Sequence, residues 1–163
     1  MKQLADALDK ANIPYTWEIF TNSTVHNMAD NPNVVYRDIR LDILPNIAAA
    51  DYLVQLSDTE GYSYSIIEAL SVGTPVIITD FPSASEMQVE DGKNGFILPM
   101  DMSNIPVDRI YKGLKRFKYV PHEDRWGELL APGKGNYEEE KTLPVMVKTR
   151  VYYYDIVLEK YMS

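Results

Sequence analysis

Apolar positions in the first hundred residues switch repeatedly between two periods. Leu4, Ala5, Leu8 and Ala11 fall near the three-and-four spacing of one helical face, which predicts an amphipathic helix over 2–12. Asn12 and Pro14 end it. Tyr15 to Phe20 (YTWEIF) is aromatic and β-branched and reads as a strand. A turn at Asn31-Pro32-Asn33 leads into a second strand over 33–36. Asp42 is placed to cap a helix from Ile43 to Ala49, with Pro45 in its first turn, where a missing N–H costs nothing. The third strand is 51–56 (DYLVQL), followed by a polar loop, 57–64. A helix over 65–72 closes on Gly73 as a left-handed cap. The run 75–79 (PVIIT) is apolar throughout, as in a strand buried on both faces of a parallel sheet. A short helix at 83–89, the turn Asp91-Gly92, a strand at 95–98 and a helix over about 104–118 complete the pattern.

Strands alternate with helices throughout residues 1–118. That order predicts an α/β fold: a Rossmann-like parallel sheet of five strands with helices on both faces. In such sheets a ligand lies beyond the carboxyl ends of the strands, where the loop 57–64 falls. After residue 119 the pattern weakens. Residues 119–163 read as a C-terminal extension. Its Gly-, Pro- and charge-rich stretch 131–144 is expected to be mobile. Its end, 146–162, is expected to be a helix with a stripe of Val147, Val151, Tyr154, Val157, Leu158 and Tyr161.

Composition narrows the function classes. The chain has 163 residues, 16 Lys and Arg, 24 Asp and Glu, and a net charge of −8. Such a balance argues against a nucleic-acid binder, which normally carries a basic face. Cysteine is absent, which removes disulfides, thiolate metal sites and cysteine nucleophiles. The two histidines, His26 and His122, have no ligand spacing with other candidates, and no metal site is expected. No apolar run approaches the ~18 residues of a membrane span. The N-terminal segment carries acids and is no signal peptide.

The chemistry concentrates in Ser57 to Leu98, SDTEGYSYSIIEALSVGTPVIITDFPSASEMQVEDGKNGFIL. Glu60 lies in the loop, and Glu68 lies near the start of the following helix. Between them, residues 61–65 bring backbone N–H groups to a helix N-terminus, a favourable seat for a phosphate. Gly61 allows close approach to the backbone. Carboxylates accept hydrogen bonds only, and so suit pairs of sugar hydroxyls. Taken together, the layout outlines a nucleotide sugar. Blander readings stand beside it. Ser65-Ile66-Ile67-Glu68 is also a capping box. Glu60 alone reads as a solvated loop acid, and Gly61 alone as a turn glycine.

With its flanks, the stretch resembles the C-terminal, donor-binding half of GT-B retaining glycosyltransferases, the glycosyl transferases group 1 or family 4. That family pairs an acid-Gly loop with a second glutamate, then Glu-Ala-x-x-x-Gly-x-Pro-Val-Ile. Here it stands as Glu60-Gly61 and Glu68-Ala69-Leu70-Ser71-Val72-Gly73-Thr74-Pro75-Val76-Ile77. The resemblance implies that residues 1–118 bind a nucleoside-diphosphate sugar, a UDP- or GDP-sugar, with no cofactor or metal. It implies a parent enzyme that moves a hexosyl group to a hydroxyl acceptor with retention. Glu60 would be the catalytic candidate, holding hydroxyls of the transferred sugar. Gly61, Tyr62 and Ser63 would line the sugar, and Ser65, Ile66 and Ile67 would offer N–H groups to the diphosphate and ribose. Glu68 would bind the ribose hydroxyls. Tyr36 and Arg37, with Asp38, would border the base.

The family also has a strand before the first helix, carrying an Arg and a Lys that clamp the diphosphate, and an N-terminal acceptor domain. Neither is found here, so the chain reads as an inactive fragment with its first strand missing and a sheet edge exposed. The loop Tyr62-Ser63-Tyr64 departs from the family's usual residues, which bears on which sugar fits. The expected partners are a nucleotide sugar, the absent acceptor domain and a second copy docked through the apolar tail. The expected location is cytoplasmic, with the parent enzyme as the route to the inner membrane face. A nucleotide-sugar 2-epimerase on the same scaffold and a non-catalytic binding module are the alternatives.

Overall fold

The computed structural model describes residues 1–114, 116–117, 137–138 and 145–150. Helix α1 (Lys2–Lys10) leads into β1 (Tyr15–Phe20) and β2 (Val34–Arg37). Then come α2 (Leu44–Ala49), β3 (Tyr52–Gln55), α3 (Tyr64–Ser71) and β4 (Val76–Thr79). A single 3-10 turn (Ala84–Met87), β5 (Gly95–Leu98) and α4 (Val107–Lys112) follow. Three strands come last: β6 (Arg116–Phe117), β7 (Tyr137–Glu138) and β8 (Val145–Arg150).

The main sheet has six strands in the order β2-β1-β8-β3-β4-β5, and every pairing in it is parallel. Period-two alternation divides the core between its faces. Tyr52, Val54 and Ile77 join Leu4, Leu8, Trp17 and Phe96 on the face of α1 and α4. Leu53, Val76 and Ile78 join Ile47, Ile66, Leu70 and Phe81 on the face of α2 and α3. Val76, Ile77 and Ile78 are fully buried between the two cores, which is why 76–78 is apolar without alternation. The expected α/β class, Rossmann-like with helices on both faces, is what forms.

Helix ends follow local rules. Asn12 adopts φ 53 at the end of α1, and the Ile13 N–H reaches back to Leu8 O at 3.0 Å. Gly73 adopts φ 74 after α3, where Gly73 N–H bonds Leu70 O (3.1 Å) and Thr74 N–H bonds Ala69 O (2.9 Å). This double bond pattern is a Schellman cap, so the expected role of Gly73 holds. Asp42 does not cap α2: Ile43 occupies that position, and Asp42 instead pairs with Arg40 at 3.2 Å. Pro45 does lie in the first turn.

The chain beyond 100 departs most from expectation. The helix expected over 104–118 spans only Val107–Lys112, because Gly113 (φ 75, ψ 169) turns the backbone out of helical space. Arg116–Phe117 then pairs antiparallel with Tyr137–Glu138, inside the stretch expected to be mobile. The helix expected over 146–162 is a strand where it is described. Val145–Arg150 lies between β1 and β3, in register from Tyr15↔Val145 to Phe20↔Arg150 and with Tyr52↔Val147. The edge of β1 expected to be exposed is thus paired with a strand from far along the chain. A helical stripe for a homodimer has no basis in 145–150, and 151–162 lie outside the described residues. No helix among the described residues is long and apolar enough to cross a membrane.

Candidate functional site

All six strands of the main sheet point the same way, so the loop after β3, the end of β4 and the 3-10 turn meet at one edge. Helix α3 starts there. Its N-cap is Ser63 and its first residue is Tyr64, one residue earlier than the sequence pattern predicts. Ser65 therefore sits inside the first turn rather than at the cap. Its hydroxyl is buried and has no hydrogen-bond partner among the described residues, so the capping-box reading of Ser65 and Glu68 fails. Ser63 makes no side-chain cap bond either. The first backbone hydrogen bond of the helix runs from Ile67 N–H to Ser63 O at 3.3 Å. The preceding N–H groups, of Tyr64, Ser65 and Ile66, are the ones a helix leaves without an internal acceptor.

Glu60 is held rather than loose. Its Oε1 accepts from Gln55 Nε2 and from Ser57 Oγ, each at 2.7 Å. Its backbone carbonyl accepts from Ser83 Oγ at 2.6 Å. Thr79 Oγ1 donates to Ser57 O at 2.5 Å, and Ser63 Oγ donates to Gln55 Oε1 at 2.7 Å. Hydrogen bonds thus gather β3, its following loop, β4, the 3-10 turn and the cap of α3 around one carboxylate. The bland reading of Glu60 as a solvated loop acid does not fit this network. Its Oε2 makes no hydrogen bond among the described residues.

Gly61 is exposed, and a Cβ built on it would meet nothing within 4 Å. Its backbone is not in the left-handed region. Neither turn geometry nor crowding within the chain therefore calls for glycine, and the space above it is open. Tyr62 and Tyr64 flank Ser63, both exposed, with ring centroids 5.8 Å apart in an edge-to-face arrangement. Glu68 is half-buried and lies one helical turn after Tyr64, on the same face of α3. Ile66 and Ile67 are buried, so only their backbones are offered to a ligand.

Tyr36 and Arg37 stand apart from this group. They lie on β2, three strand positions from β3, or roughly 14 Å at about 4.8 Å per strand. Tyr36 is committed locally: its ring stacks on His26 at 3.9 Å, and its hydroxyl accepts from Met28 N–H at 3.0 Å. Arg37 pairs with Glu18 at 3.3 Å. The sequence pattern does not single out Gln55, Ser57 and Ser83, which hold Glu60, or Thr79, which holds Ser57. Gln55 carried one signal, a polar residue closing the apolar run Tyr52-Leu53-Val54.

Residues 5–115 match the family model described as glycosyl transferases group 1. Two curated relatives are both named UDP-N-acetylglucosamine–peptide N-acetylglucosaminyltransferase GtfA subunit. The one from Streptococcus pneumoniae is 33% identical over 49 residues, covering 30% of this chain and 10% of that protein. The one from Streptococcus gordonii is 28% identical over 64 residues, covering 39% and 13%. The chain therefore matches only about a tenth of the length of these relatives. A solved crystal structure of a GtfA/B complex superposes with a TM-score of 0.52 at 19% identity, covering 69% of this chain and 25% of that one. At that identity the likeness concerns the fold, a GT-B glycosyltransferase fold.

Proposed function

The chain belongs to the glycosyl transferases group 1 family, and from that premise we propose that its sheet edge binds the nucleoside-diphosphate sugar of a glycosyl transfer. The observation that carries this reading is the start of α3. There, an N-terminus without a side-chain cap, the buried and unpartnered Ser65 hydroxyl and the fixed carboxylate of Glu60 adjoin. The first-turn N–H groups and the helix dipole receive the diphosphate. As the bond to the sugar breaks, they stabilise the charge growing on the leaving phosphate, which requires no metal. Ser65 supplies one further hydrogen bond to it. Glu60 Oε2 accepts from hydroxyls of the transferred sugar, Glu68 accepts from the ribose, and Gly61 leaves room above the loop. The transferred unit is a hexosyl group, passed to a hydroxyl acceptor with retention.

The names of the relatives make UDP-N-acetylglucosamine the first donor to test. The acceptor and the remaining side of the cleft come from a second domain or from a partner chain, a reading supported by the solved neighbour being a complex of two proteins, GtfA and GtfB. In this reading Tyr36 and Arg37, at the end of β2, border the base once Arg37 leaves Glu18.

The test is an NMR titration of the labelled chain with UDP, GDP, ADP and UDP-N-acetylglucosamine. Saturable shifts at 60–68 support the reading, and the nucleotide that gives them identifies the base. Glu68→Ala should abolish them while the thermal midpoint is kept. Absence of shifts with every nucleotide at millimolar concentration overturns the proposal and leaves the reading of a non-catalytic module.

A further inference from the structure

Gln55 sits at the last position of β3, at the edge where α3 begins. Alternation along the strand places Leu53 on the α3 face and Val54 on the opposite one, so Gln55 returns to the α3 face. Its amide orientation is fixed by chemistry. A carboxylate accepts only, so Nε2 must face Glu60, and Oε1 is left to accept from Ser63. The bonds are 2.7 Å on both sides.

We propose that Gln55 is the positioning residue of the donor site, locking the Glu60 carboxylate and tying it to the cap of α3. This rests on the donor-site reading above. Two donors on Glu60 Oε1 fix the rotation of the carboxylate and direct recognition to Oε2. A carboxylate already oriented loses less freedom when it meets a sugar hydroxyl. Ser57 alone leaves one donor and a free axis. The bond from Ser63 extends the lock to the residue from which α3 starts. The sugar-holding group and the phosphate-holding helix end therefore keep one spacing. Gln55 does this without touching the ligand.

The experiment compares Gln55→Met and Gln55→Glu with the unmodified chain. Met keeps the side-chain length without donors, and Glu keeps the shape but cannot donate to Glu60 when ionised. Dissociation constants are measured for UDP and for UDP-N-acetylglucosamine, together with the thermal midpoint. The ratio of the two constants reads the contribution of the sugar. Loss of one charge-assisted hydrogen bond predicts a fall of about tenfold in that ratio for both variants. The constant for UDP itself should change by less than about threefold, since the phosphate seat persists. A purely structural role lowers the midpoint and leaves the ratio unchanged, which overturns the inference. If the unmodified chain binds neither ligand, the donor-site reading fails first, and the inference fails with it. If it binds both and the variants keep the ratio, only the role of Gln55 is refuted.

Discussion

Ser65→Ala should make the unliganded protein more stable and its nucleotide complex weaker. Ser65 is 1% exposed, and its hydroxyl has no hydrogen-bond partner among the described residues. A buried polar group left unsatisfied costs about 1–3 kcal/mol, and its removal returns most of that. Alanine is also the better helix former by a few tenths of a kcal/mol. In a chain of this size each kcal/mol moves the midpoint by about 2–4 °C. The variant should therefore melt about 2–8 °C higher, as read by calorimetry without ligand. Binding should move the other way. A hydrogen bond to a charged phosphate is worth about 1.5–3 kcal/mol, which corresponds to an affinity loss of roughly 10- to 150-fold. Isothermal titration with UDP measures it. A lower midpoint together with unchanged affinity would refute the reasoning, because the hydroxyl would then serve the fold and not a ligand.

Other outcomes follow from the same structure. Gly95→Ala should cost at least about 1–3 kcal/mol, since the new Cβ would lie 2.6 Å from Val76 O and 2.8 Å from side-chain atoms of both Val76 and Val89; an unchanged urea midpoint would contradict this. Tyr52 donates to Ile110 O at 2.9 Å, and burial, with help from the charge of Asp51, pushes its phenol well above the usual tyrosine range. The neutral form is the one the fold favours, so this stability is complete below about pH 10 and declines as pH rises further. Tyr52→Phe should lose about 1 kcal/mol at pH 7 yet fall less steeply above pH 10, and parallel stability curves would count against the assignment. Some alkaline decline should remain, because burial raises Tyr15 as well. A chain ending at residue 144 removes β8 from between β1 and β3. It should unfold well below the full chain or associate through the opened edges, and a monomer with the same midpoint would deny β8 its place in the sheet.

The parts of the fold legible in the sequence were those that local pattern decides. The strand around Ile77 announces itself by continuous apolarity, and Gly73 by following an apolar helix run. The start of α3 lies one residue before the one the pattern predicts, because Ser63 and Ser65 both have a capping side chain and only the three-dimensional path of the loop chooses between them. The strand β8 was not legible. Val145, Val147 and Thr149 alternate as a strand should, but Val147 and Val151 also fit a helical stripe. What decides is an empty slot between two strands more than ninety residues earlier, a long-range term that no window contains. Glu60 and Glu68 are legible through the motif, whereas Gln55 shows only as one polar residue closing the apolar run Tyr52-Leu53-Val54, with nothing local to say what it holds.

At the cap of α3, folding and binding make opposite demands. Ser63 has the residue type and the place to bond a first-turn N–H, which would stabilise the helix by about 0.5–2 kcal/mol. Its hydroxyl instead donates to Gln55, and Gln55 donates to Glu60. A local rule is thus broken where obeying it would block the helix end. The neighbouring Ser65 breaks a second rule by burying an unpartnered hydroxyl in the same turn. Departures of this kind concentrate where a chain gives up local stability for a ligand. The other end of the helix keeps to the rules: α3 closes on a full Schellman cap at Gly73. The two ends of one helix therefore separate the demands of folding from those of binding, with the apolar body between them fixing their distance.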